Sequence, residues 1–168
     1  MTPSPALCSE RLVLEPYVPA DEEDFVALFL DTRVSRWIGD GPEPEESCRA
    51  LFSRIFTHVY EPGAFDVWAV RRVGRMVGHA EIKPSKAVEG HELIYALAHE
   101  AWGQGLGTEL ARRIVAYGFE VLELDQVYAT VAEPNAASLA ALRKVGFRHV
   151  RDIAEEDGTT TLLLTCER

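Results

Sequence analysis

Hydrophobic positions along the chain follow two periods, and the switches between them mark out its elements. Glu10-Arg11-Leu12-Val13-Leu14-Glu15-Pro16 alternates briefly and stops at a proline, which predicts a strand over 11–16. Pro19-Ala20-Asp21 then opens a helix capped by Asp21 or its neighbours, with Phe25, Leu28 and Phe29 on one face. Residues 31–37 hold a short second helical turn carrying Val34 and Trp37, and Gly39-Asp40-Gly41-Pro42 breaks it. Pro44 starts a helix to about Tyr60, with Leu51, Ile55, Phe56 and Val59 on one stripe, and Glu61-Pro62-Gly63 stops it. Residues 65–72 and 76–82 are two strand runs around Val73-Gly74-Arg75, a hairpin. A polar loop over 83–90 leads to the apolar strand Leu93-Ile94-Tyr95-Ala96-Leu97-Ala98.

A helix from about 105 to 121 follows, burying Leu106, Leu110, Ile114 and Tyr117. Residues 126–131 are rich in β-formers, and Glu133-Pro134-Asn135 turns the chain into a short helix over 136–145 that Gly146 caps. Two last strands, 147–153 and 159–166, flank Asp157-Gly158. There is no repeat, linker or low-complexity segment. One α+β domain over residues 1–168, with a mixed sheet, accounts for the pattern.

The corner between the strand at 93 and the helix at 105 stands out chemically. Gly103, Gly105 and Gly107 alternate through Trp102-Gly103-Gln104-Gly105-Leu106-Gly107-Thr108-Glu109. Glycines let backbone N–H groups converge, and a helix start adds unpaired N–H groups and the positive end of its dipole. Such a corner suits a phosphate or pyrophosphate, or it is simply a tight strand-to-helix turn. It is not a P-loop, because Gly107-Thr108-Glu109 lacks the lysine. It fits a dinucleotide fingerprint poorly, because Thr108 stands where the last glycine belongs. Asp125, about twenty residues on, precedes the next apolar run instead of ending it.

Composition narrows the classes. The 168 residues suit one domain with a core, and the 47% hydrophobic content is ordinary for a globular protein. No apolar run approaches the ~18 residues that cross a membrane, and the opening Met1-Thr2-Pro3-Ser4-Pro5 predicts no signal peptide. Cys8, Cys48 and Cys166 are far apart and show no metal-ligand spacing, which points to no metal site and a reduced, cytoplasmic setting. The formal charge of -10 argues against nucleic acid as partner and is compatible with a cationic substrate such as an amine. Plain solubility explains the charge equally well. Much of the acid, Asp21 to Asp24 and Glu43, Glu45 and Glu46, falls at predicted helix starts.

Five pieces then line up in order and spacing. They are Ser9-Glu10-Arg11-Leu12-Val13-Leu14 as opening strand, Tyr95 on the central strand, the Trp102 to Glu109 turn, Asn135-x-x-Ser138, and Lys144-x-Gly146-Phe147. Over nearly its whole length the chain resembles a GNAT N-acetyltransferase. More narrowly, it resembles the Rim-type branch, whose founding members acetylate N-termini of ribosomal proteins. The resemblance implies the GNAT, or acyl-CoA N-acyltransferase, fold: a mixed, mostly antiparallel, twisted sheet of about seven strands flanked by helices on both faces. Two departures matter. Trp102 stands where the wider superfamily has Arg or Gln, as is usual in the Rim-type branch. Leu142 stands where the wider superfamily often has the tyrosine that protonates the leaving thiolate, and it cannot do so.

The implied reaction is acetyl transfer from acetyl-CoA to a primary amine, by direct attack with both reactants held together. The resemblance assigns the pyrophosphate to Trp102, Gly103, Gln104, Gly105, Leu106, Gly107 and Thr108, with backbone amides at Gln104, Gly105, Gly107 and Thr108 as donors. The strand at Tyr95, Ala96 and Leu97 is assigned to the pantetheine arm and to polarising the thioester carbonyl. Asn135 reaches the cofactor's amide chain or caps its helix, and Lys144 or Arg143 reaches the ribose phosphate or solvent. Ser138 is the Rim-type substitute for the missing tyrosine, as acid and as cofactor contact. Glu92 leads as general base, with Glu81, His79 and His91 as alternatives, since histidine as a class titrates near neutrality. Trp37 and Trp102 line a cleft or pack in the core. The acceptor is a protein N-terminus or a small amine, and a homodimer is open. The competing function is an acyl-CoA-binding sensor or interaction module that has lost turnover, which Leu142 keeps in play.

Overall fold

The computed structural model describes residues 4–168; residues 1–3, part of the stretch expected to hold no leader, lie outside the described residues. The strands are β1 (Leu7–Cys8), β2 (Val13–Glu15), β3 (Asp66–Arg72), β4 (Arg75–Pro84), β5 (His91–Leu97), β6 (Gln126–Ala132), β7 (Arg148–Ala154) and β8 (Thr160–Glu167). The helices are α1 (Glu22–Leu30), α2 (Thr32–Ser35), α3 (Glu45–Arg54), α4 (Leu106–Glu120) and α5 (Ala136–Val145). The strands form one eight-stranded sheet in the order β1-β2-β3-β4-β5-β6-β8-β7. The α+β expectation holds with eight strands, where seven were expected. The extra one is β1, two residues whose only structure is their pairing with β2. The helix expected from Pro44 to about Tyr60 changes character at Ile55, where its last turn widens into a π-helix, Ile55–Tyr60.

The chain packs as two compact units. One runs to Glu81 and takes in Tyr95–Leu106; the other comprises Ile82–Ile94 and Gly107–Arg168. In the first, β2 lies antiparallel to β3 with Val13 opposite Arg71 and Glu15 opposite Ala69. Its core is aromatic. Tyr17 meets Phe25 and Phe52 edge-on at centroid distances of 5.6 and 5.7 Å, and Phe25 meets Phe52 at 5.2 Å. Such pairs add ~0.5–1.5 kcal/mol each beyond the area they bury. Of the face read on α1, Phe25 enters this cluster with Phe29 at its margin, while Leu28 packs in a second cluster with Val34 and Ala96. A single arginine fastens the start of α1 to the sheet. Arg71 Nε donates to Glu15 Oε2 and its Nη2 to the buried Asp21 Oδ2, each at 2.8 Å.

In the second unit β6 pairs antiparallel with β8 along its whole length, from Gln126 opposite Glu167 to Ala132 opposite Thr161. β7 pairs with β8 with a register shift between His149 and Arg151. The parallel pair β5–β6 is registered at Glu92 opposite Tyr128. The apolar stripe of α4 is buried as read: Leu106, Leu110 and Ile114 are at most 1% exposed and Tyr117 4%. Among the described residues, no helix is long and apolar enough to cross a membrane.

Gly78 on β4 fixes how closely β5 approaches. A Cβ there would fall inside contact distance of the Ala96 carbonyl oxygen and 2.9 Å from Leu97 Cδ2. Both neighbours are buried strand residues with no room to retreat. Gly78→Ala is therefore expected to destabilise by ~1–3 kcal/mol. That is a fall in Tm of roughly 2–12 °C for a chain of this size, readable by calorimetry.

Candidate active site

The candidate cofactor residues from Tyr95 to Thr108 fall on the end of β5, on the turn after it and on the first turn of α4. After Leu97 a single 3-10 turn, His99–Ala101, leads into an exposed run from Trp102 to Gly105, and α4 starts at Leu106. Gly103 and Gly105 have φ of +74° and +77°. That is the left-handed region, where any side chain would be strained. Gly107 is different, because it already lies inside the first turn of α4. The three alternating glycines are thus two turn residues and one helical residue. The first turn of α4, which includes Gly107 and Thr108, presents N–H groups that its own helix cannot use, at the positive end of the dipole. An exposed left-handed turn running into such a helix start fits a polyphosphate anion.

Two arginines that sequence reasoning missed stand at this turn. Arg11 Nη1 donates to the Gln104 carbonyl at 2.8 Å, and Arg72 Nη1 donates to Gln104 Oε1 at 2.7 Å. Gln104 Nε2 donates to the Glu100 carbonyl at 3.1 Å. Arg11 sits in the Glu10-Arg11-Leu12 run that supported the resemblance, so its position carried a signal. Arg72 carried none.

Trp102 closes the corner. It is 43% exposed, so it is not a core residue, and its indole Nε1 donates to the Leu97 carbonyl at 2.8 Å. Its ring packs edge-on against His99 at 4.8 Å. The Leu97 carbonyl, on the strand assigned to the pantetheine arm, therefore already accepts one hydrogen bond. Ala96 packs its side chain in a cluster with Leu28 and Val34, while Tyr95 is half-buried. Trp37 is half-buried beneath the Arg36 guanidinium, 4.8 Å from its ring.

In the second unit, Asn135 caps α5: its Oδ1 accepts from the Ser138 N–H at 3.3 Å. The capping role weighed for Asn135 is present. Ser138 is half-buried in the first turn of α5, and Leu142 on the same helix is 1% exposed. Lys144 is exposed near the helix end, its carbonyl accepting from Arg112 Nη2 at 3.4 Å. Glu92 is buried, 8% exposed, and its Oε2 accepts from Ser85 Oγ at 2.9 Å. Ser85 Oγ also accepts from the Ala87 N–H at 3.1 Å.

Two base candidates that the sequence kept apart are joined. His79 Nε2 lies 2.8 Å from Glu81 Oε1, and His79 Nδ1 lies 2.7 Å from the Tyr17 hydroxyl. Tyr17 and His79 are buried among Phe25, Phe29 and Phe52, while Glu81 is half-buried. A donating phenol fixes the imidazole proton on Nε2, aimed at the carboxylate. His91 is half-buried at the start of β5. Among the described residues no cluster of three or more metal-ligating side chains occurs.

Comparison with known proteins identifies the family. The acetyltransferase (GNAT) domain family matches residues 11–148. The uncharacterized N-acetyltransferase YoaA of Bacillus subtilis is 30% identical over 167 residues, spanning 92% of this chain and 91% of its own. The spermidine N-acetyltransferase of Vibrio cholerae, solved with CoA and spermine, superposes with a TM-score of 0.79 at 18% identity, over 95% of this chain and 96% of that one. RimJ of Mycobacterium smegmatis, solved with CoA-disulfide, also gives 0.79, at 20% identity over 93% and 81%.

The buried tyrosines yield a prediction in alkali. Burial, reinforced by the neighbouring Tyr60 and Glu81, pushes Tyr17 well above its ordinary 10.0. Burial pushes Tyr60 up to about 12. A phenol raised in the folded state contributes stability that is full below pH ~10 and lost as pH climbs through the raised value. In a spectrophotometric titration of tyrosinate, Tyr17→Phe and Tyr60→Phe should each remove amplitude from the phase that accompanies alkaline unfolding. Loss of amplitude near pH 10 instead would contradict the burial assigned to them.

Proposed function

Because the chain belongs to the GNAT acetyltransferase family and moves an acetyl group from acetyl-CoA to an amine, we propose that the Trp102 to Thr108 corner holds the cofactor's pyrophosphate. The observation that carries this is the pair of left-handed glycines running directly into the first turn of α4. Gln104, Gly105, Gly107 and Thr108 offer backbone N–H donors. β5 at Tyr95 and Leu97 offers main-chain groups to the pantetheine arm, whereas the Ala96 carbonyl faces Gly78 on β4. Lys144 is the candidate for the ribose phosphate. Acetyl-CoA, when bound, supplies the acetyl group as an activated thioester. The whole chain, 1–168, acts as one transferase domain in this reading.

The residues of the chain then have two tasks. One is to hold a neutral amine in line with the acyl carbon, which supplies much of the rate. The other is to move two protons. Ser138 is the donor to the departing sulfur, since Leu142 has no proton to give. Glu92 takes the ammonium proton; its buried position and Ser85 hydrogen bond hold it in one orientation. A second reading gives this task to Glu81, supported by the Tyr17–His79–Glu81 chain. For the acceptor, the Rim-type motifs favour a protein N-terminal amine. The equal likeness to a spermidine acetyltransferase keeps small polyamines beside it.

A thermal melt with acetyl-CoA, CoA and NADH in parallel tests the cofactor corner. Ligand at 100 times its Kd adds ~2.7 kcal/mol, about 5–10 °C here. A rise with both CoA species and none with NADH is expected. No rise with either CoA species at millimolar concentration would remove the proposed corner. Once an amine is turned over, Glu92→Gln and Glu81→Gln separate the bases. The base variant should lose ~10²–10⁴-fold in kcat and its acidic limb in the pH profile, the other only a few-fold. A few-fold effect for both would exclude both carboxylates.

A further inference from the structure

Arg11 lies just before β2 and Arg72 ends β3. The antiparallel register, Val13 opposite Arg71, brings both to one end of the strand pair. From there both side chains reach one residue of the glycine turn. Arg11 Nη1 holds the backbone carbonyl of Gln104, and Arg72 Nη1 holds its side-chain oxygen. Gln104 Nε2 is held in turn by the Glu100 carbonyl. With a donor on its oxygen and an acceptor on its nitrogen, the Gln104 amide has one orientation only.

A trans peptide is planar, so its C=O and N–H point in opposite directions. The Gln104 carbonyl shares its plane with the Gly105 N–H. Arg11 draws that carbonyl to its own side, so the Gly105 N–H faces away from Arg11. At φ of +77° this is an orientation that glycine holds without strain. Arg11 Nη2 stands 3.6 Å from where a Cβ at position 105 would sit, which closes that side of the turn. Arg11 is therefore on the opposite side of this peptide from the Gly105 N–H.

We propose that Arg11 and Arg72 are positioning residues for the pyrophosphate, acting through Gln104 to aim the Gly105 amide at it. This rests on the reading of the corner as the pyrophosphate site.

Three variants and two readouts test this. Arg72→Gln and Gln104→Ala change half-buried and exposed positions. Arg11→Lys keeps the charge and the apolar stem but loses the planar fork. The first readout is CoA affinity by titration calorimetry, expected to weaken by about tenfold in each variant. The second is kcat/KM for acetyl-CoA against acetyl-pantetheine, which carries the same thioester without the pyrophosphate. The preference for acetyl-CoA should fall by about tenfold in each variant, carried by KM, and Arg72→Gln should leave acetyl-pantetheine turnover unchanged. The Arg72→Gln, Gln104→Ala double variant should be no weaker than either single one within about twofold, because both cut one link.

Unchanged CoA affinity in the variants would overturn the proposal. So would equal loss on both thioesters, since the arginines would then serve the fold and not the cofactor. A wild-type protein with no preference for acetyl-CoA over acetyl-pantetheine would instead overturn the pyrophosphate reading beneath it.

Discussion

Main-chain amides must find partners wherever water is kept out, and the layout of this protein follows from where its own pairing runs out. Along β2–β3 and β6–β8 the ladders satisfy the backbone internally. At the start of α4 helical geometry itself leaves N–H groups over, and the chain places that start in an exposed corner. The groups around it are spoken for: the Leu97 carbonyl by an indole, the Gln104 carbonyl by a guanidinium, the Gln104 amide by a guanidinium and a peptide. Donors left over at such a corner are what an anion selects.

Elements with a clean period could be read directly. The stripe on α4, the hairpin at Val73-Gly74 and the paired last strands needed nothing beyond alternation and turn residues. β1 could not be read, because two residues have no period and exist as a strand only through β2. The widening of α3 at Ile55 had no signal either; the buried face runs through Phe52, Ile55 and Val59, and Leu51, read as part of the stripe, is 41% exposed. Within the site, the glycine corner was legible as local chemistry. The Arg11–Gln104–Arg72 link was not, because it depends on the register of strands from distant parts of the chain. His79 and Glu81 could have been paired, being two apart on one strand and hence on one face. Tyr17, which completes that chain, lies outside any such rule.

The negative charge reads differently once its partners are known. Glu22 and Glu23 in the first turn of α1 meet Arg49 of α3 at 2.6 and 2.8 Å, and Glu45 lies 3.5 Å from the same guanidinium. Arg49 holds the Glu23 carboxyl below the usual carboxylate range. These acids join two helices and are half-spent before any cationic acceptor arrives. The surplus of charge in the composition therefore says less about the acceptor than its size suggests, and weighs more on solubility.

The bond from the Trp102 indole to the Leu97 carbonyl turns the chain between them into a closed ring. A ring of this kind has lost most of its conformational freedom in the free protein. The exposed indole thereby acts as a clasp, tying the end of β5 to the residue that enters the glycine turn.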